Sequence, residues 1–231
     1  MSDLDIGMQD WLCEPLAWDD ARRLDRGKVM TREDLDAGRD FGRYLDVDGD
    51  GIPYRTYPGT HPTRGSYFTR GSTKDRYARY TEEGPAYVDN VQRLLRKLET
   101  AKELLPRPVI ERAMQPARAA VLWFGSTGAA MAESLAELTR MGIHVDRMRI
   151  RAFPFADEVA DFIAAHEHVF VVEQNRDAQL RMLLVNECGI DPDKLRPDPK
   201  QLERVRLEAM LQELHRAGVL TDEELTEKRE A

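Results

Sequence analysis

Between residues 117 and 197 the apolar positions fall into short solid runs, each followed by a stretch with helical spacing. "AAVLWFG" is apolar up to its glycine, and "STGAAMAESLAELTRMG" after it places Met131, Leu135 and Leu138 on one helical side. "HVDRMRIRAFPF" reads as a second strand, with Asp157 capping the helix "EVADFIAAH". "HVFVVEQ" is a third strand, followed by the helix "DAQLRMLLVNECG". Strand and helix repeated three times, with solid apolar strands, predicts an α/β domain of three layers around a parallel sheet. Strands are expected near 119–124, 145–150 and 169–173. Val121, Leu122, Val171 and Val172 should be buried with one face of a helix over 129–141.

The flanks have weaker patterns. "DLDIG" reads as the tail of a strand, and "TREDLDAGRDFG" as a short helix with Thr31 as N-cap. "AYVDNVQRLLRKLETAKELL" is amphipathic, with Val88, Val91, Leu94, Leu95, Leu98 and Ala101 on one face, and Pro106 and Pro108 end it. More than 60 residues with little regular signal is long for a loop and suggests a functional linker. After Pro199 the chain is charged and free of proline. One helix there carries Leu202, Val205, Leu207, Met210, Leu211 and Leu214 and stops at Gly218. Thr221 and Glu224 form a capping box for a second. The division is therefore 1–116, 117–197 and 198–231. The last piece is a helical hairpin too small for its own core. With the orphan strand "DLDI", it predicts a homo-oligomer with Leu211, Leu214 and Leu220 near a contact. The alternative is a hairpin folded back on the 117–197 domain.

Composition narrows the function. The net charge of −8 argues against a general nucleic-acid or anionic-membrane binder. Two cysteines, Cys13 and Cys188, cannot by themselves hold an iron–sulfur cluster or a structural zinc. The start lacks a basic segment followed by an apolar one, and no apolar run approaches membrane-spanning length, so a cytoplasmic protein is expected. Charge is uneven: residues 1–50 carry 14 acids and 7 bases, whereas residues 60–102 carry 9 bases and 5 acids. Arg64, Arg70, Lys74, Arg76 and Arg79 alternate with Tyr67, Phe68, Tyr77 and Tyr80. Such a stretch binds nucleic acid or a phosphorylated cofactor, with Arg64 and Arg70 as candidates, or more often pairs with the chain's own acids or with a partner subunit.

Four further features carry candidate chemistry. In "DVDGDG", Asp46, Asp48, Asp50 and Gly51 match the first half of a calcium loop, but Tyr57 stands where the bidentate Glu belongs, and Pro53 and Pro58 break the following helix. An Asp/Gly turn whose carboxylates accept backbone N–H bonds is the plainer reading, and the metal assignment is none. "FGSTGAA" fails a dinucleotide fingerprint, because Thr127 and Ala130 replace the needed glycines, and has no P-loop lysine. Ser126 or Thr127 serves there as an N-cap or as a donor to an anion at the helix start. Glu173, Gln174 and Asn175 fall at the carboxyl edge of the third strand, as site residues or at a subunit interface. His166 and His168 share a face at that strand's start and read as a solvated pair.

Beyond these local patterns, "SDLDIGM", "WDDARRLDRGKVMTREDLDAGRDFGRYLDVDGDGIPYRTYPGTHPTRGSYFTRGSTKDRYARYTEEG", "NVQRLLRKLETA" and "VVEQNRDAQLRMLL" together resemble the alpha subunit of 2-oxoacid:ferredoxin oxidoreductases, nearest the 2-oxoglutarate type. The resemblance runs from Met1 to about Pro197, with "GRYLDVDGDGIPYRT" as its most specific block. It implies a thiamine-diphosphate enzyme that decarboxylates a 2-oxoacid such as 2-oxoglutarate. Electrons pass through an iron–sulfur cluster to ferredoxin, and acyl-CoA (succinyl-CoA) and CO2 are released. The 117–197 domain would then resemble the transketolase C-terminal domain, a scaffold. The family's pyrimidine-binding domain is not matched, and its diphosphate-binding domain and cluster cysteines belong to a beta subunit. Thiamine diphosphate, Mg2+, the cluster and CoA are thus expected in the complete complex, with no catalytic residue and no cofactor on this chain alone. "LQELHRAGVLTDEE" (211–224) resembles the SHOCT (short C-terminal) domain. Residues 1–116 would be a connector and remnant of the pyrimidine-binding domain, and the chain a scaffold part of such a subunit, or a non-catalytic oligomerisation module derived from one.

Overall fold

The computed structural model describes all residues except 2, 9, 11, 13, 16, 198–206 and 231. Cys13, Leu202 and Val205 lie outside the described residues. In chain order the elements are α1 (Leu4–Met8), α2 (Arg32–Asp36), α3 (Gly84–Leu104), β1 (Val109–Glu111), β2 (Ala119–Trp123), α4 (Gly128–Arg140), β3 (Asp146–Arg149), α5 (Asp157–Ala164), β4 (His168–Val172), α6 (Gln179–Cys188), β5 (Leu195–Pro197), α7 (Leu207–Arg216) and α8 (Asp222–Glu230). They form two compact units, Met1–Trp11 with Leu105–Ala231, and Leu12–Leu104.

The first unit is built on a five-stranded sheet in the order β1-β3-β2-β4-β5. β2, β3, β4 and β5 are parallel, and β1 is an antiparallel edge. The pleat sends alternate residues to opposite faces. Ala119, Val121 and Trp123 meet Met131, Leu135 and Leu138 of α4 on one face. Ala120, Leu122 and Met148 meet Val159, Phe162 and Ile163 of α5 and Leu180 and Leu184 of α6 on the other. Burial on both faces is why the central strands are continuous apolar runs. The three predicted strands and the α4 helix agree to within one residue. The edge strands β1 and β5 are three residues each and were not foreseen.

Three expectations are corrected in this unit. "DLDIG" is helix α1, because the Asp3 carboxylate accepts the Ile6 N–H at 3.0 Å and caps a turn. Leu211, Leu214 and Leu220, expected at a contact between chains, are buried in this unit's own core with Trp123, Met131 and Leu135. The hairpin α7–α8 is thus a layer of the same domain. Its turn is as read: Gly218 has φ +69, and Thr221 and Glu224 exchange backbone hydrogen bonds at 2.8 and 3.2 Å. In α5 the cap position is Ala156, and Asp157 is the first helical residue.

The second unit is mostly irregular and is held by polar contacts. Thr31 caps α2 in a reciprocal box with Asp34. On α3 the buried residue is Arg93, whose guanidinium donates to the Asn90 side chain and to the Gly51 carbonyl. Of the expected packing face, Val88, Leu94, Leu95 and Leu98 are exposed, and Val91 and Ala101 are half-buried. A Cβ at Gly51 (φ +76) would lie 2.3 Å from the Lys97 backbone nitrogen, so only glycine permits this approach.

Candidate functional site

The carboxyl ends of the parallel strands are where open α/β sheets place their sites, at the point where the strand order reverses. Here β3 lies on one side of β2 and β4 on the other, so the reversal falls between β2 and β4. β2 leads through Phe124 into a 3-10 turn, Gly125–Thr127, and then into α4. Gly125 has φ +65, and a Cβ there would lie 2.1 Å from Asp3 Oδ2. That oxygen accepts the Ser126 backbone N–H at 2.7 Å and the Ser126 hydroxyl at 2.8 Å. Burial pushes the Asp3 carboxyl up, but hydrogen bonds from Ile6 and Ser126 outweigh it and hold it below its ordinary value. The anion at "FGSTGAA" is therefore a carboxylate of the same chain. Thr127 is buried in the cap position without a side-chain cap bond, so neither hydroxyl caps α4 in the expected way.

At the end of β4, Glu173 is buried. Its carboxylate accepts the N–H groups of Leu180 at 2.8 Å and Arg181 at 3.1 Å, in the first turn of α6, and the Asn175 side chain donates to it. Asn175 Oδ1 accepts the Gln179 N–H at 3.0 Å. These two residues fasten α6 to the sheet, where free amides favour a negative group. Gln174 is exposed.

At the opposite edge of the sheet is a buried polar cluster. Asp146 opens β3 and accepts from Arg112 at 2.6 Å and from the Ala113 N–H at 2.7 Å. His166 Nε2 lies 3.0 Å from its Oδ2, and His166 Nδ1 lies 2.7 Å from the Phe162 carbonyl. Both ring nitrogens face oxygen atoms that accept hydrogen bonds. Arg112 also lies over the Phe162 ring, 4.9 Å from its centroid. Burial pushes the Asp146 carboxyl up, and the bonds from Arg112, Ala113 and His166 more than reverse this, leaving it lowered. The two histidines are thus not a solvated pair: His166 is buried in this cluster, and His168 is held below its ordinary value by burial and by Arg196.

In the second unit the three aspartates do not converge. Asp46 accepts the Gly49 N–H at 2.9 Å and the Gly51 N–H at 3.1 Å and pairs with Arg96. Asp48 and Asp50 both pair with Lys28 at 2.6 Å, so an ammonium bridges them. Among the described residues no three His, Cys, Asp or Glu side chains are grouped to hold a metal ion. Arg70 lies over Tyr80, Arg79 over Tyr77 and Lys74 over Tyr44, and Arg76 pairs with Asp89. The base–aromatic alternation is used internally. Arg64 donates to the Leu35 carbonyl beside an open pocket of about 360 Å³ that Thr56, Tyr57, His61 and Tyr67 also line. His61, absent from the sequence reading, accepts two backbone N–H groups at Nδ1, which leaves Nε2 to donate to Asp36 at 3.0 Å. The signal for it was its place in a Pro/Gly/Thr turn, "PGTHPTRG". Among the described residues no helix is long and apolar enough to cross a membrane.

No protein-family model matches the chain. Among solved structures, the chain is similar to the 2-oxoglutarate:ferredoxin oxidoreductase from Magnetococcus marinus with 2-oxoglutarate, coenzyme A and succinyl-CoA bound. The TM-score is 0.64 and the identity 18%, over 78% of this chain and 31% of that one. The chain thus spans about a third of the length of that protein, and at this identity the likeness is one of fold. The α/β fold with a mostly parallel five-stranded sheet is a fold shared with part of a 2-oxoglutarate:ferredoxin oxidoreductase.

Proposed function

We propose that the chain is the C-terminal scaffold part of an alpha subunit of a thiamine-diphosphate-dependent 2-oxoacid:ferredoxin oxidoreductase of the 2-oxoglutarate type. The observation that carries this reading is the fold likeness over 78% of the chain, to a protein of the family that the residues from Met1 to about Pro197 resemble. The site geometry agrees with a scaffold role. Asp3, Glu173 and Asn175, at the sheet's carboxyl edge, are engaged in fastening helices and turns. Thiamine diphosphate, Mg2+, the iron–sulfur cluster and CoA would belong to the complete complex, in which succinyl-CoA, CO2 and reduced ferredoxin are formed. The partner would be the beta subunit, with ferredoxin reached through the complex.

A second reading, a non-catalytic assembly module derived from such a subunit, draws on the exposed Val88, Leu94, Leu95 and Leu98 of α3. Retention on an immobilised thiamine-binding beta subunit from the same organism supports the first reading. Self-association without that retention favours the second.

A further inference from the structure

Trp123 Nε1 is a buried donor without a hydrogen-bond partner, in a residue 8% exposed. Indole nitrogen can only donate, and buried donors are nearly always satisfied, so this N–H calls for an acceptor. Parallel register sets Trp123 of β2 beside Arg149 of β3. Arg149 is exposed and has no ion-pair or hydrogen-bond partner among the described residues. Both side chains converge on Gly128, the first residue of α4. A Cβ built there would lie 3.7 Å from Trp123 Nε1, 3.8 Å from Arg149 Cζ and 3.9 Å from Arg149 Nε. Two donors therefore meet over Gly128, an indole N–H and a guanidinium, while the Gly128 N–H itself is bonded to the Gly125 carbonyl. No acceptor bonds the Trp123 N–H. The neighbouring turn already holds an oxyanion, the Asp3 carboxylate on Ser126.

We propose that Trp123 and Arg149, facing each other over the space at Gly128, form a binding site for a phosphate group, free or carried by a small-molecule ester. A tetrahedral phosphate offers oxygens outside one plane to the indole N–H and the guanidinium, which a planar carboxylate lacks. The exposed arginine is the entrance, and its movement uncovers the indole nitrogen. The site is separate from the donors of Ser126 and does not depend on the oxidoreductase reading.

The test is a titration of the full chain with inorganic phosphate, following the Trp123 indole N–H in proton–nitrogen NMR spectra. The peak is assigned by its loss in Trp123→Phe. The expected result is a saturable shift of this peak with phosphate, and none with acetate at equal ionic strength. Arg149→Gln should weaken binding about tenfold or more, the share of one charge-assisted hydrogen bond. Gly128→Ala should abolish it, because the added methyl fills the space at ordinary contact distances and leaves the helix intact. A peak that does not move up to tens of millimolar phosphate overturns the proposal. So does one that moves equally in the Arg149→Gln and Gly128→Ala proteins, or equally with acetate. Phenyl phosphate in a parallel titration separates the two sources: a matching shift admits esters, and a response to inorganic phosphate alone confines the site to the free ion.

Discussion

Replacing Asp146 by Ala removes the acceptor at the centre of the buried cluster. His166, whose side chain is 2% exposed, loses the partner of Nε2, and the Ala113 N–H loses its acceptor. Breaking a buried pair by deleting one member costs roughly 3–5 kcal/mol. Arg112 is about half exposed and is rehydrated when released, which places the expected loss near the low end, about 3 kcal/mol. With a urea slope of about 2 kcal/mol per molar, the unfolding midpoint should fall by about 1.5 M. Trp123 fluorescence reports it once Trp11 and Trp18 are changed to Phe. The pH dependence gives a second reading. The Asp146 carboxyl is lowered in the fold, so its contribution is present above the ordinary carboxylate value and is lost as pH falls through the folded one. The gap between parent and variant should be full at pH 7 and close as the pH drops below about 4. A midpoint within 0.25 M of the parent's, about 0.5 kcal/mol on the same slope, or a gap that widens in acid, would refute the reasoning.

Gly125→Ala forces a left-handed alanine, costing about 1–2 kcal/mol, and drives the Asp3 carboxylate off Ser126. Amide hydrogen exchange at Ser126 should accelerate sharply, and unchanged protection would contradict the clasp. Leu214→Ala should destabilise by about 2–5 kcal/mol, because the hairpin is part of the core. A hairpin that merely touches a partner chain would leave the monomer's midpoint where it was.

The central strands were legible because a strand buried on both faces must be apolar throughout, and "AAVLW" and "HVFVV" are nearly so. β1 and β5 carry no such signal: three residues at a sheet edge, one covered on neither face, read like loop. α1 was hidden because Asp3-Leu4-Asp5-Ile6 alternates like a strand, and the bond that caps the turn is local and short. The α3 pattern reads correctly as helical but with the wrong side packed, since its buried residue is Arg93, whose guanidinium bonds the Gly51 carbonyl. The hairpin leucines were recognised as needing cover, and periodicity alone does not say whether the cover is the same chain or another. Ser126 was legible as a donor to an anion, whereas the anion itself, Asp3, lies 123 residues away in sequence. The Asp146–His166 pair is likewise separated by 20 residues and is brought together only by parallel pairing of β3 and β4 around β2.

The proposed role is tested most directly by mixing the purified chain with the thiamine-diphosphate-binding beta subunit of its own organism and sedimenting the mixture. The scaffold reading predicts a boundary heavier than either protein alone, together with no turnover of 2-oxoglutarate, CoA and a viologen acceptor by the chain by itself. Two independent boundaries at micromolar concentrations, or turnover by the chain without an added subunit, would contradict it.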